Sequence, residues 1–273
     1  MFEASIECKV LLKIFIVYWI IGYILLFLWG YLCLYGIIAI NAAFMVAINI
    51  VNILVLFAIS VLLLKLSNIE LNLQFYGLSK NNTHESIIMG GIAGAPFTVM
   101  SAIFLLYLGN AAKDYAKYSV PTWLQTLEGY SMALTAIVFW LLNGIISIAL
   151  LQAFSYEILG NITTKKKAII IITILWAGIY NGIAFSIITG TPLGVSMAGE
   201  IIDIIYLGII FMYLYTKTRN SIGLILAYVF AYEAPVKAAI LLGLGTWALF
   251  TMNIICLIWS ITSIIVYTKK NKQ

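Results

Sequence analysis

The sequence predicts an all-α fold, a polytopic membrane protein with eight transmembrane helices, and three observations predict it. Hydrophobic residues make up 64% of the chain and charged residues only 9%, whereas a soluble domain carries about 25% charged residues. The mean hydropathy is +1.09. Apolar runs of spanning length recur from end to end, and the basic residues gather in alternate connections, on one side of them.

A spanning helix needs about 20 apolar residues. Eight runs qualify: Ile14 to Ile38, Ala42 to Leu64, Ile87 to Leu108, Tyr130 to Tyr156, Ala168 to Ile188, Val195 to Tyr215, Ile222 to Leu242, and Trp247 to Tyr267. No stretch is polar enough for a separate soluble unit, so residues 1–273 read as one integral membrane domain. The first run is too long for a signal peptide and no small-residue cleavage site follows it, so it is expected to be the first spanning helix.

Charge placement orients the runs. With eight spans, one side holds Lys9, Lys13, Lys65, Lys80, Lys165, Lys166, Lys167, Lys217, Arg219, Lys269, Lys270 and Lys272. The other side and its helix ends hold Lys113, Lys117 and Lys237. This asymmetry places both termini in the cytoplasm of a multi-pass protein of the cell membrane. The net charge of +5 lies in short loops between apolar runs, so it marks topology and argues against nucleic acid as a partner. The lipid bilayer is the expected partner.

The loops and helix faces add detail. The connection Ser67 to Ser86 carries His84, the only histidine. The connection Asn110 to Glu128 mixes Lys113, Asp114, Lys117, Tyr115, Tyr118 and Trp123, as an interfacial segment does. Gly90 with Gly94, and Gly91 with Ala95, are four apart, so small residues line a face of the third run. Gly223, Ala227 and Ala231 form a similar stripe on the seventh. Both stripes read as helix-packing surfaces. Cys8, Cys33 and Cys256 are too scattered for a zinc knuckle or a disulfide framework and read as space-fillers.

Ionisable groups within or at the ends of spans are costly in lipid and are candidates for function. They are Glu157, Glu200, Asp203, Glu233 and Lys237. Glu200 and Asp203 share a face of the sixth run, and Glu233 can pair with Lys237 at i+4. These four form an expected intramembrane polar cluster in the outer half. It reads either as a structural network or as an ion or proton pathway. Metal catalysis needs about three or four ligands, and His84 with Glu85 supplies too few. Gly194-Val195-Ser196-Met197 lacks the second glycine of a GxSG serine site, and no run supplies a histidine base.

Two stretches bear a resemblance to a known family. They are Gln74 to Gly94, QFYGLSKNNTHESIIMGGIAG, and Ile204 to Tyr228, IIYLGIIFMYLYTKTRNSIGLILAY. Over about residues 70 to 235 the chain resembles the CPBP family, the CAAX-prenyl-protease and bacteriocin-processing (Abi) intramembrane metalloproteases. The family's motifs are EExxxR, FxxxH and HxxxN (or Asp). Laid on this chain, the first puts Gln152 and Ala153 at the paired glutamates and Glu157 at the arginine. A shifted alignment puts Glu157 at the second glutamate and Asn161 at the arginine. Trp176 and Tyr180 fall at the second motif, with Asn181 next to it, and Tyr228 and Tyr232 fall at the third. No alignment restores a histidine.

The resemblance implies a CPBP-like bundle with a polar cavity between the fourth, fifth and seventh spans, open toward the cytoplasm. It does not carry the activity over, because the motifs are degenerate. The expectation is a pseudoenzyme without cofactor or metal that binds a membrane peptide, a lipid or a partner membrane protein. Two alternatives remain open on the residues. One is an active CAAX-type intramembrane endopeptidase with an atypical site, which would hold zinc. The other is a small ion-coupled transporter using Glu200, Asp203 and Glu233.

The topology is directly testable. Single cysteines placed beside Lys166 and beside Lys113 should react with an impermeant maleimide from opposite faces of the membrane. Labelling of both from one face would sink the eight-span arrangement.

Overall fold

The computed structural model describes residues 8–34, 42–80, 82–108, 129–180, 183, 208–231 and 246–270. Every regular element among them is helical. Helix α1 is Cys8–Leu34 and α2 is Ala42–Leu66. A 3-10 turn, Leu73–Tyr76, precedes α3, Thr83–Leu108. Helix α4 runs from Gly129–Gly144 through a π-helical stretch, Ile145–Ala153, into a last α-helical part, Phe154–Leu159. Helix α5 begins as Lys165–Thr173 and continues as a second π stretch, Ile174–Tyr180. Then come α6, Phe211–Thr218, α7, Ile222–Ala231, and α8, Thr246–Lys270. Among the described residues, three stretches are long and apolar enough to cross a bilayer: Cys8–Tyr31, Ala43–Leu66 and Ile137–Leu159, of 24, 24 and 23 residues.

Local chemistry moves two helix starts upstream of their apolar runs. Thr164 is extended, and its hydroxyl accepts the N–H of Lys167, so α5 begins at Lys165 rather than Ala168. Helix α3 begins at Thr83 rather than Ile87. His84 and Glu85 therefore stand in a helical turn, not in a loop, and Glu85 suits the positive end of that helix.

Helix α1 docks on α4 and α5 through its polar tips. The Tyr18 hydroxyl donates to the Leu150 carbonyl at 3.0 Å, and the Trp19 indole donates to Ser155 Oγ at 3.0 Å. The Tyr23 hydroxyl donates to the Leu175 carbonyl at 2.8 Å. Leu150 and Leu175 lie in the two π stretches. A π stretch shifts the backbone ladder from i+4 to i+5 and leaves carbonyls short of their usual donor. Side chains of a neighbouring helix can make up that shortfall where water is absent. Beneath these bonds, Phe154 gathers the core. Its ring lies 4.6 Å from that of Tyr18 and stacks at 5.6 Å on Tyr76, whose hydroxyl is 2.6 Å from Ser60 Oγ on α2.

Helices α3 and α7 meet backbone to backbone. A β-carbon on Gly223 would sit 2.0 Å from the Ser86 carbonyl oxygen, and one on Gly90 would sit 2.2 Å from the Gly223 oxygen. One turn on, Gly94 faces Ala227 at ordinary contact distance. Gly90 and Gly94 of the first stripe therefore meet Gly223 and Ala227 of the second in one interface, whereas Gly91 and Ala95, expected to pack as well, are exposed. Helix α8 covers another side of α3, with Ser260 Oγ donating to the Ala93 carbonyl at 2.6 Å and Cys256 Sγ to the Pro96 carbonyl at 3.7 Å. Pro96 lies inside α3 and lacks an N–H, so α8 donates close to the weak point of that ladder.

The glycine interface has a built-in control. Gly90→Ala and Gly223→Ala should each lower stability by about 1–3 kcal/mol, because no flexible side chain can move aside. Gly91 has open space around its Cα, so Gly91→Ala should be neutral or stabilising by up to about 1 kcal/mol. Thermal unfolding in detergent measures all three. Equal losses at positions 90, 91 and 223 would refute the tight contact.

Candidate functional site

The end of α4 is where sequence places Gln152, Ala153 and Glu157. Gln152 and Ala153 are buried in the last turn of the π stretch. Glu157 follows in the α-helical tail, its side chain 21% exposed. Its Oε1 accepts a hydrogen bond from the Tyr215 hydroxyl at 2.9 Å and forms an ion pair with Arg219 Nη1. Glu157 is thus held from two positions beyond α5, one at the end of α6 and one just after it.

Arg219 is positioned by backbone as well as by charge. It follows α6 in the left-handed conformation, φ 51°, with its N–H donating to the Tyr215 carbonyl at 2.7 Å. Its guanidinium lies 5.1 Å from the centre of the Tyr156 ring, and Tyr156 meets Tyr215 edge to face at 5.7 Å. Two aromatic rings and one carboxylate therefore surround the cation. Burial alone would disfavour the charged guanidinium, but the Glu157 carboxylate and the two phenols outweigh it and raise the pKa above the ordinary arginine value. In the sequence, Arg219 stands out only as a topology marker. The pair bridges 62 positions, and neither periodicity nor spacing connects residues that far apart.

The next two residues hold a different partner. Asn220 Nδ2 donates to the Ser79 carbonyl at 2.6 Å and to Thr83 Oγ1 at 3.0 Å. Ser221 donates its N–H to the Gly77 carbonyl and its hydroxyl to the Tyr76 carbonyl, both at 2.8 Å. From α3, Ser86 Oγ donates to the Asn220 carbonyl at 2.9 Å and accepts the Gly223 N–H at 3.1 Å. Gly77 has φ +65°, and a β-carbon there would lie 2.6 Å from the Tyr215 ring. Only glycine fits. Gln74 to Gly94 and Ile204 to Tyr228, the stretches that carry the family resemblance, thus clasp each other through residues 76–86 and 218–223.

The remaining motif positions have other neighbours. Trp176 is fully buried on α5, with no partner for its indole N–H among the described residues. Tyr180 is half-buried, its ring 6.0 Å from that of Tyr23 on α1. Tyr228 is buried on α7, its ring 6.3 Å from that of Trp140 on α4. Thr173 Oγ1 and the Tyr156 hydroxyl are also buried without a partner among the described residues. Tyr232, Asn181, Glu200, Asp203, Glu233 and Lys237 lie outside the described residues. His84 is exposed, and among the described residues no three His, Cys, Asp or Glu side chains gather as metal ligands.

Compared with known proteins, the chain matches no family model, no curated protein and no solved structure.

The Glu157 cluster is open to a double-mutant cycle. Arg219 is 43% exposed, so its coupling to Glu157 should fall near the upper end of the exposed-pair range, about 1 kcal/mol. Tyr215→Phe should cost about 1–2 kcal/mol by removing a donor to a charged acceptor. Strict additivity of Glu157→Gln and Arg219→Met in unfolding experiments would contradict the pairing.

Proposed function

We propose that this chain is an eight-span membrane protein with a CPBP-like bundle and both termini in the cytoplasm, and that it is a non-catalytic member of that class. It binds a membrane peptide, a lipid or a partner protein through the half of the bundle that holds Glu157. The observation that carries this reading is the engagement of Glu157. Its Oε1 already serves Tyr215 and Arg219, so the acid nearest the first motif works as a structural acceptor.

Zinc tests the fit. A catalytic zinc site uses about three nitrogen, sulfur or oxygen ligands with a fourth position open. Gln152 and Ala153 carry no carboxylate, and Trp176, Tyr180 and Tyr228 offer an indole and phenols where imidazoles would be needed. An indole N–H is a donor only, and a phenol stays protonated near neutral pH. Displacing Arg219 from Glu157 to free a ligand would leave a partly buried cation beside two aromatic rings. The residues at the motif positions do not fit a zinc centre, and no hydrolytic step is derived through one.

The same side chains favour a binding role. Tyr156, Thr173 and Trp176 are buried with polar atoms that lack a partner among the described residues, and buried polar groups are satisfied in nearly all folded proteins. Each can donate a hydrogen bond. An acceptor from water, from a peptide carbonyl or from a lipid ester has the chemistry they lack.

Protein purified without added zinc should contain no stoichiometric zinc by atomic spectroscopy and should leave prenylated and helical membrane peptides uncut. Stoichiometric zinc that is lost on Glu157→Gln would overturn the non-catalytic reading.

A further inference from the structure

The connection between α2 and α3 turns apolar side chains outward. Leu66 is 74% exposed, Leu71 40%, Leu73 55% and Leu78 39%. Its inward side is already filled, with Ile69 and Tyr76 buried and the Phe75 ring 6.3 Å from that of Phe154. The segment cannot tuck its leucines in. Asn72 caps the 3-10 turn by accepting the Gln74 N–H, Tyr76 is bonded to Ser60, and Gly77 is clasped by Ser221. A fully exposed leucine forgoes about 1.5–3 kcal/mol of burial, and four partly exposed ones in one rigid segment, each forgoing a share of that, call for an apolar medium.

We infer that this segment is a membrane-interface anchor, with Leu66, Leu71, Leu73 and Leu78 seated among the upper acyl chains of the leaflet at the end of α2. The occupant is lipid because the surface is continuous with the exposed apolar face of a helix long and apolar enough to span a bilayer. Leu62 and Leu66 lie one turn apart on the same face of α2, both more than half exposed, and α2 is long and apolar enough to span. Lys65 and Lys80 stand exposed at either end of the segment and Glu70 between them. These three charges leave a net of only +1, so apolar insertion rather than attraction to anionic headgroups drives the contact. Zwitterionic lipid suffices. This inference stands apart from the reading of the Glu157 site.

Nitroxide accessibility in phosphatidylcholine vesicles tests it. Single cysteines replace Leu71, Leu73 or Leu78 in the full chain, with Cys8 and Cys33 changed to Ala and the fully buried Cys256 kept. Lys166→Cys serves as the aqueous reference. At the three leucine positions, oxygen should be favoured over a water-soluble nickel chelate several-fold more than at position 166. Nickel access equal to that at position 166 would place the leucines in water and overturn the anchor. Exclusion of both probes would mean that protein, a second copy or another partner, covers them, and would overturn it as well. The wild-type chain gives a check that needs no substitution. A phosphatidylcholine with a diazirine near the top of its acyl chain should leave adducts on the peptide containing residues 66–78, and a peptide free of adduct beside a labelled α2 would count against the proposal.

Discussion

The approach of α3 to α7 at Gly90 and Gly223 is the constraint on which the rest of the described bundle rests. Small residues at such a contact allow close backbone packing and interhelical hydrogen bonds, which supply the attraction. Glycine lets the two backbones come within reach. Once they are there, Ser86 can bond both the Asn220 carbonyl and the Gly223 N–H. A methyl group at either glycine would separate the helices and break those bonds together. Helix α8 is carried on the same α3 backbone through Ser260 and Cys256, so a shift of α3 would reach a third helix.

Helix α1 solves a different problem, that of π-helical stretches in α4 and α5. A buried carbonyl without a donor costs about 1–3 kcal/mol, and the shifted ladder of a π stretch creates such groups. Tyr18 and Tyr23 deliver hydroxyls to Leu150 and Leu175 from one helix. The same residues carry large apolar rings, so they fill the interface while their tips complete the backbone. This explains how two irregular helices coexist with few polar side chains nearby. It also makes α1 part of the core.

How much of this is legible in the sequence depends on the reach of each interaction. The small-residue stripes are legible, because Gly90 with Gly94 and Gly223 with Ala227 are marked by an i, i+4 spacing within one helix. That the stripes meet each other is not, since no local pattern names a partner. Helix starts at Lys165 and Thr83 are missed when only hydropathy is counted, although Thr164 is a recognisable cap. The π stretches leave no periodic signature, because residues 145–153 are apolar apart from Ser147 and Gln152. At the site, Glu157 stands out as an acid at the end of an apolar run. Its partners do not, because Tyr215 and Arg219 come from a different part of the chain and Arg219 reads first as a positive-inside charge. The expected outer cluster of Glu200, Asp203, Glu233 and Lys237 falls outside the described residues.

The short link from Thr218 to Ser221 shows why fold and site are bound together here. Arg219 turns toward α4 and pairs with Glu157, while Asn220 and Ser221 turn the other way and hold residues 76–83. The left-handed backbone at Arg219 makes this division possible, because it reverses the chain direction between adjacent side chains. Thr218 strengthens the turn by donating to the Leu214 carbonyl and accepting the Asn220 N–H. A cation held only by Glu157 would be free to swing toward solvent. Anchored by this turn, Arg219 is preorganised against the carboxylate, and Glu157 is kept from adopting another partner. The acid that sequence singles out for chemistry is thereby tied to the same clasp that joins α3 to α7.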